Sequence, residues 1–538
     1  MRRPVLTLAC IACFSFILGL GRPAITDSDE GFYAEAAREM VESGDWLTPR
    51  FNYEDRWEKP VLYYWLTAAT YVVTSPTEAA ARWWSALSGL GLVLLTWAMA
   101  RRMMKQDDAA WLAGAIVATC YGYFAMARLA LPDLPLTFLV TLTIWGGIER
   151  RWLLVGAAAG LGFLMKGPIA LVVPALVLAP IWWRERATAP IRIGDLAIAA
   201  LVGAAIGLPW YVAMTVKHGA PYLQSFFVGD NLERFATSRF NDPRAPWFYV
   251  PIVVGGLFPW SMYLLILPWP SIIAIARGRR LVTQIEWRLL AWILLPLVFF
   301  TISIGKQPRY ILPVLPPIAI LLAQSIMDRV RTANRNSATA LTAATWATAA
   351  TYVILMLLLY RSRMLFIGTY PTLMFAGMAV LGLAGIAMAW ITATRHWQLL
   401  PGAATFCAAM LLLTVQFGAL SGVRPEPVEQ MAALISAHRL EEPIGTYQVF
   451  VRNLGFYTGV AQRDLFTESL ALDFLESSAP VLLVVRATDL PALEAASGVR
   501  ARRIGEVRYL NTANIRLGTI LAPDPDAEIE TVLLVSNR

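Results

Sequence analysis

Acidic side chains are concentrated in one short stretch near the beginning of the sequence. Residues 27–40 read DSDEGFYAEAAREM and place Asp27, Asp29, Glu30 and Glu35 within nine residues of a chain that is 57% hydrophobic. Carboxylates at this density are costly in lipid, so they either lie in water or line a site. A carboxylate can accept the proton of an attacking hydroxyl group or hold a divalent cation on its oxygens.

Further acids and bases stand beside Pro or Gly at the ends of later apolar segments. Glu58 and Lys59 precede a proline, Asp133 lies in ALPDLP, and LMKGP contains Lys166. The segments NLERF and KQPRYILP add Arg234, Lys306, Arg309 and Tyr310. Lys and Arg at helix ends can bind a lipid phosphate and stabilise the charge that it gains as a leaving group. With a carboxylate as base, the set suits sugar transfer from a phosphorylated lipid carrier.

Composition places the chain in a membrane. Only 15% of its residues are charged, against about 25% in soluble domains, and the mean hydropathy is +0.55. The net charge of +8 comes from short basic clusters between apolar runs, a pattern that orients membrane helices and does not indicate a nucleic-acid partner. All four cysteines lie in apolar segments, which argues against a disulfide framework or a cysteine metal cluster.

Thirteen apolar segments approach the roughly 20 residues that a membrane-spanning helix needs. They are 4–21, 81–100, 109–126, 131–148, 152–166, 168–184, 196–215, 247–269, 288–304, 309–327, 338–360, 366–391 and 400–420. Arg2 and Arg3 precede the first span, and a basic residue or cluster follows every second span. These ends are therefore expected in the cytoplasm. The first segment is expected to be a retained anchor, since no small-x-small cleavage site follows it. The charged set then faces outward, to the periplasm of a Gram-negative cell.

Two regions outside these spans have their own pattern. In the loop 22–80, residues 30–42 have helical spacing with Glu35 and Glu39 on the polar face, and Gly44 is placed to end this helix at the membrane interface. A second interfacial helix is expected after Pro60. Residues 421–538 are charged and mixed, with strand-like runs such as PVLLVVRA beside helical stretches such as LPALEAAS. They predict a small soluble α/β domain outside the membrane.

Each charged residue also has an ordinary structural explanation. Thr26 and Asp29 could form a capping box for the first-loop helix, and Asp133 could cap the fourth span. Lys59 and Lys166 could extend to lipid headgroups. Taken one at a time, these explanations suffice for most of the set, but together on one face of the membrane they are less satisfactory.

Several segments, taken in order, resemble a known family. They are DSDEGFYAEAAREMVESGDW, WEKPVLYYW, PDLPLTF, LMKGP, NLERF, APWFY and KQPRYILP. The chain resembles the polyprenyl-phosphate-dependent glycosyltransferases of the C-type fold over about residues 1–420. The 4-amino-4-deoxy-L-arabinose lipid A transferases are the nearest branch, and the protein O-mannosyltransferases are more distant. The resemblance implies a polytopic α-helical membrane protein of about thirteen spans with a C-terminal periplasmic α/β domain.

The resemblance also implies roles for individual residues. Asp29 matches the principal catalytic acid or base, with Glu30 beside it and Asp133 as the second acid. Lys59 and Arg234 match residues that bind the carrier phosphate, with Lys166, Lys306, Arg309 and Tyr310 as weaker candidates. Glu58 is a candidate ligand for a divalent cation such as Mg, Mn or Zn.

Two positions depart from the family pattern. Gly31 and Phe32 stand where the lipid A-modifying members have Thr and Arg, and Asn231 stands where they tend to have a histidine. The first departure bears on the sugar and acceptor, and the second on a metal site that uses the histidine.

The predicted function is that of a monomeric inner-membrane glycosyltransferase whose active site and C-terminal domain face the periplasm. It would move a sugar, with an amino-pentose as a candidate, from undecaprenyl phosphate to lipid A, a protein or another glycan. A transporter or flippase of polyprenyl-linked or charged solutes is the main alternative, since it also needs charges and broken helices in the membrane. A catalytically silent scaffold is a third possibility.

Overall fold

Helices make up most of the protein. A computed structural model describes residues 3–237, 243–332, 334–366, 371–419, 425–438, 442–511 and 515–538. The helical segments before residue 420 are Pro4–Phe16, Ser28–Ser43, Leu62–Thr74, Glu78–Met104, Asp107–Thr119, Tyr121–Ala127, Asp133–Ile148, Trp152–Lys166, Ile169–Glu185, Ile193–His218, Ala220–Leu223, Gln224–Glu233, Arg234–Ala236, Tyr249–Gly256, Trp260–Ile266, Trp269–Ala276, Gln284–Ile302, Pro308–Val314, Leu315–Thr332, Arg335–Arg361, Arg363–Phe366, Pro371–Thr394, Trp397–Leu399, Leu400–Thr414 and Val415–Ala419.

Seven helices among the described residues are long and apolar enough to cross a membrane, or up to nine if each of two bent pairs forms one span. The seven are Glu78–Met104, Ile193–His218, Gln284–Ile302, Pro308–Thr332, Arg335–Arg361, Thr372–Thr394 and Trp397–Phe417. All thirteen predicted segments coincide with helices, but the number of thirteen spans is not confirmed. Three of them form apolar helices of only 13, 16 and 15 residues, Pro4–Phe16, Asp133–Ile148 and Trp152–Lys166.

The two bent pairs meet each other at their breaks. They are Asp107–Thr119 with Tyr121–Ala127, bent by 54°, and Tyr249–Gly256 with Trp260–Ile266, bent by 110°. The backbone N–H of Tyr121 donates to the carbonyl oxygen of Phe258 at 2.8 Å. This bond satisfies a donor that the first break removes from its helix, as a broken helix in a membrane requires.

The helices Trp152–Lys166 and Ile193–His218 pack backbone to backbone. A Cβ atom at Gly160 would lie 2.7 Å from the carbonyl oxygen of Gly203, and Gly156, one turn earlier, is as close to the partner helix. Small residues four apart allow such close approach of helices in membranes. The contact fixes the end of the first helix, whose last residue is one of the predicted phosphate-binding lysines.

The first loop carries the predicted helix, with a different cap. Asp27 accepts hydrogen bonds from the backbone N–H groups of Asp29 and Glu30, at 2.9 and 3.1 Å. Asp27 is therefore the N-cap of Ser28–Ser43, in place of the Thr26–Asp29 capping box that was the alternative structural explanation of Asp29. Gly44 ends the helix in the left-handed conformation, at φ +69°.

Two acids on the polar face of this helix, Glu35 and Glu39, are buried, whereas Glu42 on the same face is exposed. Glu35 accepts two hydrogen bonds from the Arg38 guanidinium, at 2.8 and 2.6 Å, and Glu39 accepts the backbone N–H of Tyr53 at 2.9 Å. The reason is tertiary, because the short hairpin Arg50–Phe51 and Glu54–Asp55 and part of the C-terminal region pack against the helix. The second loop helix is Leu62–Thr74, as predicted after Pro60.

The C-terminal region contains a mixed five-stranded sheet. Its strands, in spatial order, are Gln462–Leu465, Ile444–Tyr447, Leu482–Arg486, Ile529–Ser536 and Arg502–Leu510. The first three strands are parallel to one another. The fourth strand, Ile529–Ser536, is antiparallel to both of its neighbours. The helices are Pro427–Ala437, Leu454–Thr458, Glu468–Leu475, Leu490–Ser497, Leu517–Leu521 and Pro525–Glu528.

Two apolar cores lie on this C-terminal sheet. One contains Val484 and Leu534, and the other contains Leu483 and Val535, as the alternation of strand side chains requires. The predicted domain boundary at residues 420–421 lies outside the described residues.

Replacing Gly160 by Leu should lower the melting temperature of the purified protein in detergent by several degrees, because the side chain has no space beside the Gly203 carbonyl group. Gly194→Leu is the matched control, since a Cβ atom at Gly194 of the partner helix meets open space. Equal melting temperatures for the two variants would contradict the close packing.

Candidate active site

A cavity of about 620 Å³ lies where the first loop, several helix ends and the C-terminal region meet. Among the described residues, six basic and four acidic side chains line it, which gives a net charge of +2. The basic residues are Arg56, Lys59, Lys166, Arg234, Arg309 and Arg452, and the acids are Asp29, Glu58, Asp133 and Asp230. A cavity with this excess of positive charge attracts an anion.

Arg309 joins the two predicted catalytic acids. Its guanidinium group pairs with the carboxylate of Asp29, and its Nε lies 3.6 Å from Asp133. The ammonium group of Lys166 donates to the other oxygen of Asp133 at 2.5 Å. The structure thus brings Asp29, Asp133, Lys166 and Arg309 together, and it gives Arg309 a more central position than the sequence suggested.

Asp29 is ionised at neutral pH. Burial alone would raise the pKa of its carboxyl group, but the positive charges of Arg309, Arg452 and Lys166 and a hydrogen bond from Arg309 lower it below the usual value. A carboxylate with a lowered pKa is a weak base. It is better suited to holding a cationic or hydrogen-bond-donating group than to removing a proton.

Lys59 and Arg234 share a third acid. The Asp230 carboxylate accepts a hydrogen bond from Arg234 at 3.1 Å and lies 3.6 Å from the Lys59 nitrogen. Burial and the positive charge of Arg234 lower the pKa of Lys59 to about 8, although Asp230 opposes this shift. Lys59 is therefore mostly charged at neutral pH and loses its charge within a mildly alkaline range.

Tyr310 lies between these groups of charges. The Lys166 nitrogen is 5.1 Å from the centre of its ring, and the Phe300 ring packs against the same ring with centroids 5.7 Å apart. Gly305 is needed nearby, because a Cβ atom there would lie 2.0 Å from the backbone oxygen of Arg234. This close approach holds the segment of Arg234 against the segment that carries Arg309 and Tyr310.

One part of the cavity wall is apolar. It consists of aliphatic and aromatic side chains from several helices, including Leu136, Val140, Ile169, Val172, Val173, Phe226, Phe227 and Phe299. Such a wall next to a cluster of positive charges fits a ligand with a hydrocarbon part and an anionic part.

Two predicted site residues lie elsewhere. Glu30 is 1% exposed and forms a buried ion pair with Arg82, with oxygen–nitrogen distances of 2.6 and 2.9 Å, and it also accepts the backbone N–H of Ala130. It ties the first loop to two other segments and does not line the cavity, so its position gives the predicted catalytic role no support. Lys306 is buried outside the cavity lining and is 3.4 Å from the backbone oxygen of Arg244.

The acids of the cavity do not fit the predicted divalent cation. Glu58, the proposed ligand, pairs with Arg56 at 2.9 Å. The described residues contain no group of three or more His, Cys, Asp or Glu side chains that could hold a metal ion. Each cavity carboxylate is instead paired with a guanidinium or ammonium group. A metal would have to displace these cations.

Three charged lining residues were not among the predicted site residues. Arg56 stacks on the Phe32 ring, Asp230 pairs with two predicted phosphate-binding residues, and Arg452 lies 3.7 Å from Asp29. Asp230 stood in the segment GDNLERF and could have been included with Arg234. Arg452 belongs to the C-terminal region, where no motif marked it.

Known proteins are similar to this chain in sequence and in fold. The family model of dolichyl-phosphate-mannose-protein mannosyltransferase matches residues 26–219. The undecaprenyl phosphate-alpha-4-amino-4-deoxy-L-arabinose arabinosyl transferase of Pseudomonas aeruginosa strain LESB58 is 31% identical over 491 residues, which cover 86% of this chain and 84% of the relative.

Two solved structures have a similar fold. The crystal structure of ArnT from Cupriavidus metallidurans bound to undecaprenyl phosphate has a TM-score of 0.74 at 21% identity and covers 99% of this chain and 98% of that one. The archaeal oligosaccharyltransferase AglB from Archaeoglobus fulgidus has a TM-score of 0.54 at 12% identity and covers 96% of this chain and 75% of that one.

The fold is similar to that of these two structures, and the sequence match identifies a multi-pass membrane glycosyltransferase of the class that uses an undecaprenyl-phosphate donor. Within this class, the chain belongs to the family of undecaprenyl phosphate-alpha-4-amino-4-deoxy-L-arabinose arabinosyl transferases. The predicted family and the predicted transferase function are confirmed, and the transporter alternative gains no support.

Glu30→Gln should destabilise the protein strongly, by about 3–5 kcal/mol, because it leaves the buried Arg82 without its charged partner. Asp29→Asn should change stability by less than about 1 kcal/mol, since the Asp29 carboxylate is partly exposed and its cations keep other partners. Thermal unfolding of both variants in the same detergent tests the distinction. A stable Glu30→Gln variant without activity would return Glu30 to the catalytic group.

Proposed function

We propose that this protein transfers 4-amino-4-deoxy-L-arabinose from undecaprenyl phosphate to a phosphate group of lipid A, at the periplasmic face of the inner membrane. One observation carries the proposal: the cavity combines an apolar wall, a net charge of +2 and two carboxylates held by Arg309. The sugar in the names of the relatives supports a pentosyl rather than a hexosyl donor.

The leaving group determines the use of Lys59 and Arg234. An acceptor oxygen attacks the anomeric carbon of the sugar, the bond from that carbon to the carrier phosphate breaks, and its electrons remain on the phosphate. Lys59 and Arg234 both pair with Asp230, and they line the same cavity as the apolar residues Phe226, Phe227 and Phe299. They can stabilise the phosphate while the polyprenyl chain lies against the apolar wall.

Asp29 and Asp133 act on the sugar and acceptor side. The lowered pKa of Asp29 favours an acceptor that needs little deprotonation, and a phosphate is such an acceptor. Asp29 then orients the reacting groups, and Asp133 fixes Arg309 and Lys166 beside it. A hydroxyl acceptor would need a stronger base than Asp29 provides.

The proposed orientation follows from the basic residues. Arg101, Arg102, Arg150 and Arg184 lie at or next to helix ends and do not line the cavity. Such clusters lie on the cytoplasmic side in most membrane proteins, which supports a cavity and a C-terminal domain on the periplasmic side.

Loss of the Asp29 charge should abolish sugar transfer in cells. Mass spectrometry of lipid A from a strain lacking the protein should show no aminoarabinose, and the wild-type gene should restore it while Asp29→Asn should not. Asp27→Asn is the matched control, because Asp27 lies outside the cavity and Asn caps a helix as well as Asp does.

Full restoration by Asp29→Asn would remove Asp29 from the mechanism. Unchanged lipid A in the deletion strain, with the wild-type protein expressed in its parent, would contradict lipid A as the acceptor. Envelope glycans and proteins from the same strains would then be compared.

Binding of the carrier phosphate should weaken as the pH rises. With its pKa at about 8, the Lys59 ammonium group carries a charge in about one molecule in ten at pH ~9, so the affinity for undecaprenyl phosphate should fall about tenfold from pH ~7. Titration of purified protein in detergent by calorimetry measures this change. Lys59→Arg should bind with little dependence over this range, and an equal decline in both proteins would exclude Lys59 as the cause.

A further inference from the structure

The loop Val449–Asn453 of the C-terminal region reaches over the first-loop helix to the cavity. Its Arg452 lines the cavity, with one terminal nitrogen 3.7 Å from an oxygen of Asp29 and its guanidinium carbon 4.9 Å from the centre of the Phe32 ring. The Arg452 side chain is about one-third exposed. Arg452 and Asp29, whose side chain is 40% exposed, are therefore both accessible from water.

The backbone of this loop is held in an unusual conformation. Phe450 and Arg452 have φ values of +49° and +64°, in the left-handed region that residues with side chains rarely adopt. The Arg452 N–H donates to the Asp464 carboxylate at 3.1 Å, and Gln462 donates to the same oxygen at 2.7 Å. Strained positions that the surrounding structure enforces are concentrated at functional sites.

The loop Val449–Asn453 packs against the first-loop helix at Gly31. A Cβ atom at Gly31 would lie 2.3 Å from the side-chain oxygen of Asn453 and 2.5 Å from the backbone oxygen of Arg452. Any other residue at position 31 would push the loop away from the helix. Gly31 thus permits the approach that brings Arg452 to Asp29.

Hydrogen bonds on both sides of the Gly31 contact fix the C-terminal region to the first loop. Asn453 donates to the backbone oxygen of Thr26 at 2.6 Å. The Asn52 side chain exchanges two hydrogen bonds with the backbone of Gln462, at 2.8 and 3.1 Å, in the manner of an added strand. The Tyr457 hydroxyl group accepts the backbone N–H of Ile25 at 2.7 Å.

We propose that Arg452 completes the active site from the C-terminal domain by binding the phosphate group of the acceptor and presenting it to Asp29 and Arg309. The proposal rests on the function proposed above and specifies its acceptor side. Lys59 and Arg234 pair with Asp230 and serve the carrier phosphate, whereas Arg452 approaches Asp29 from the C-terminal region. Two anionic groups thus meet basic residues at different parts of one cavity.

The test is a transfer assay with purified full-length protein, undecaprenyl phosphate-linked aminoarabinose and purified lipid A. Arg452→Gln should raise KM for lipid A about ten- to hundredfold, the effect of losing one charge-assisted hydrogen bond, and should leave the Kd of undecaprenyl phosphate unchanged. Arg452→Lys should recover part of the affinity. Arg463→Gln, an exposed arginine on the neighbouring strand, is the matched control and should behave as wild type.

A second variant tests the packing contact between Gly31 and the loop Val449–Asn453. Gly31→Val keeps every charged residue but displaces the loop, so it should raise KM for lipid A as Arg452→Gln does, with undecaprenyl phosphate binding retained. Retained binding also shows that the variants are folded. An unchanged KM in Arg452→Gln, or equal losses for lipid A and undecaprenyl phosphate, would overturn the proposal. Failure of the wild-type protein to modify lipid A would contradict the proposed function itself.

Discussion

Pairing of charges is the constraint on which the cavity depends. Ionised groups next to a membrane are costly unless they have partners, and each of the four lining acids has a cation within 4 Å. Arg309 is central to this arrangement because it serves Asp29 and Asp133 at once. The acids hold the basic residues in place but do not neutralise all of them. The remaining charge of +2 among the described lining residues is available to the phosphate groups of substrates.

Close backbone contacts at glycines bring the charged segments together. Gly160 lets two helices touch and so fixes the helix that ends at Lys166. Gly305 does the same for the segments of Arg234 and Arg309, and Gly31 for the C-terminal loop. The cavity is thus built from segments far apart in sequence, each of which would shift if a side chain were added at its contact point.

The sequence predicted most of the charged residues of the cavity and less about their roles. Asp133, Lys59 and Lys166 could be recognised because each stands beside Pro or Gly at the end of an apolar run. The ion pair of Glu30 with Arg82 was not foreseen, because Arg82 lies in a helix whose packing the sequence does not reveal. Arg452 was missed because its proximity to Asp29 depends on the docking of a region more than 400 residues away.

The same limit applies to the helices. Each apolar segment that the sequence marked overlaps a helix among the described residues, but apolar length could not tell a full span from a short helix or a bent pair, because contacts such as that of Tyr121 with Phe258 determine where a helix breaks.

The most direct test of the central claim is a cryo-electron microscopy structure of the protein with undecaprenyl phosphate in a lipid nanodisc. We expect the phosphate within hydrogen-bonding distance of Lys59 or Arg234 and the polyprenyl chain along the wall that contains Leu136, Val172 and Phe299. A phosphate bound outside this cavity, with Lys59 and Arg234 still paired with Asp230, would contradict this placement.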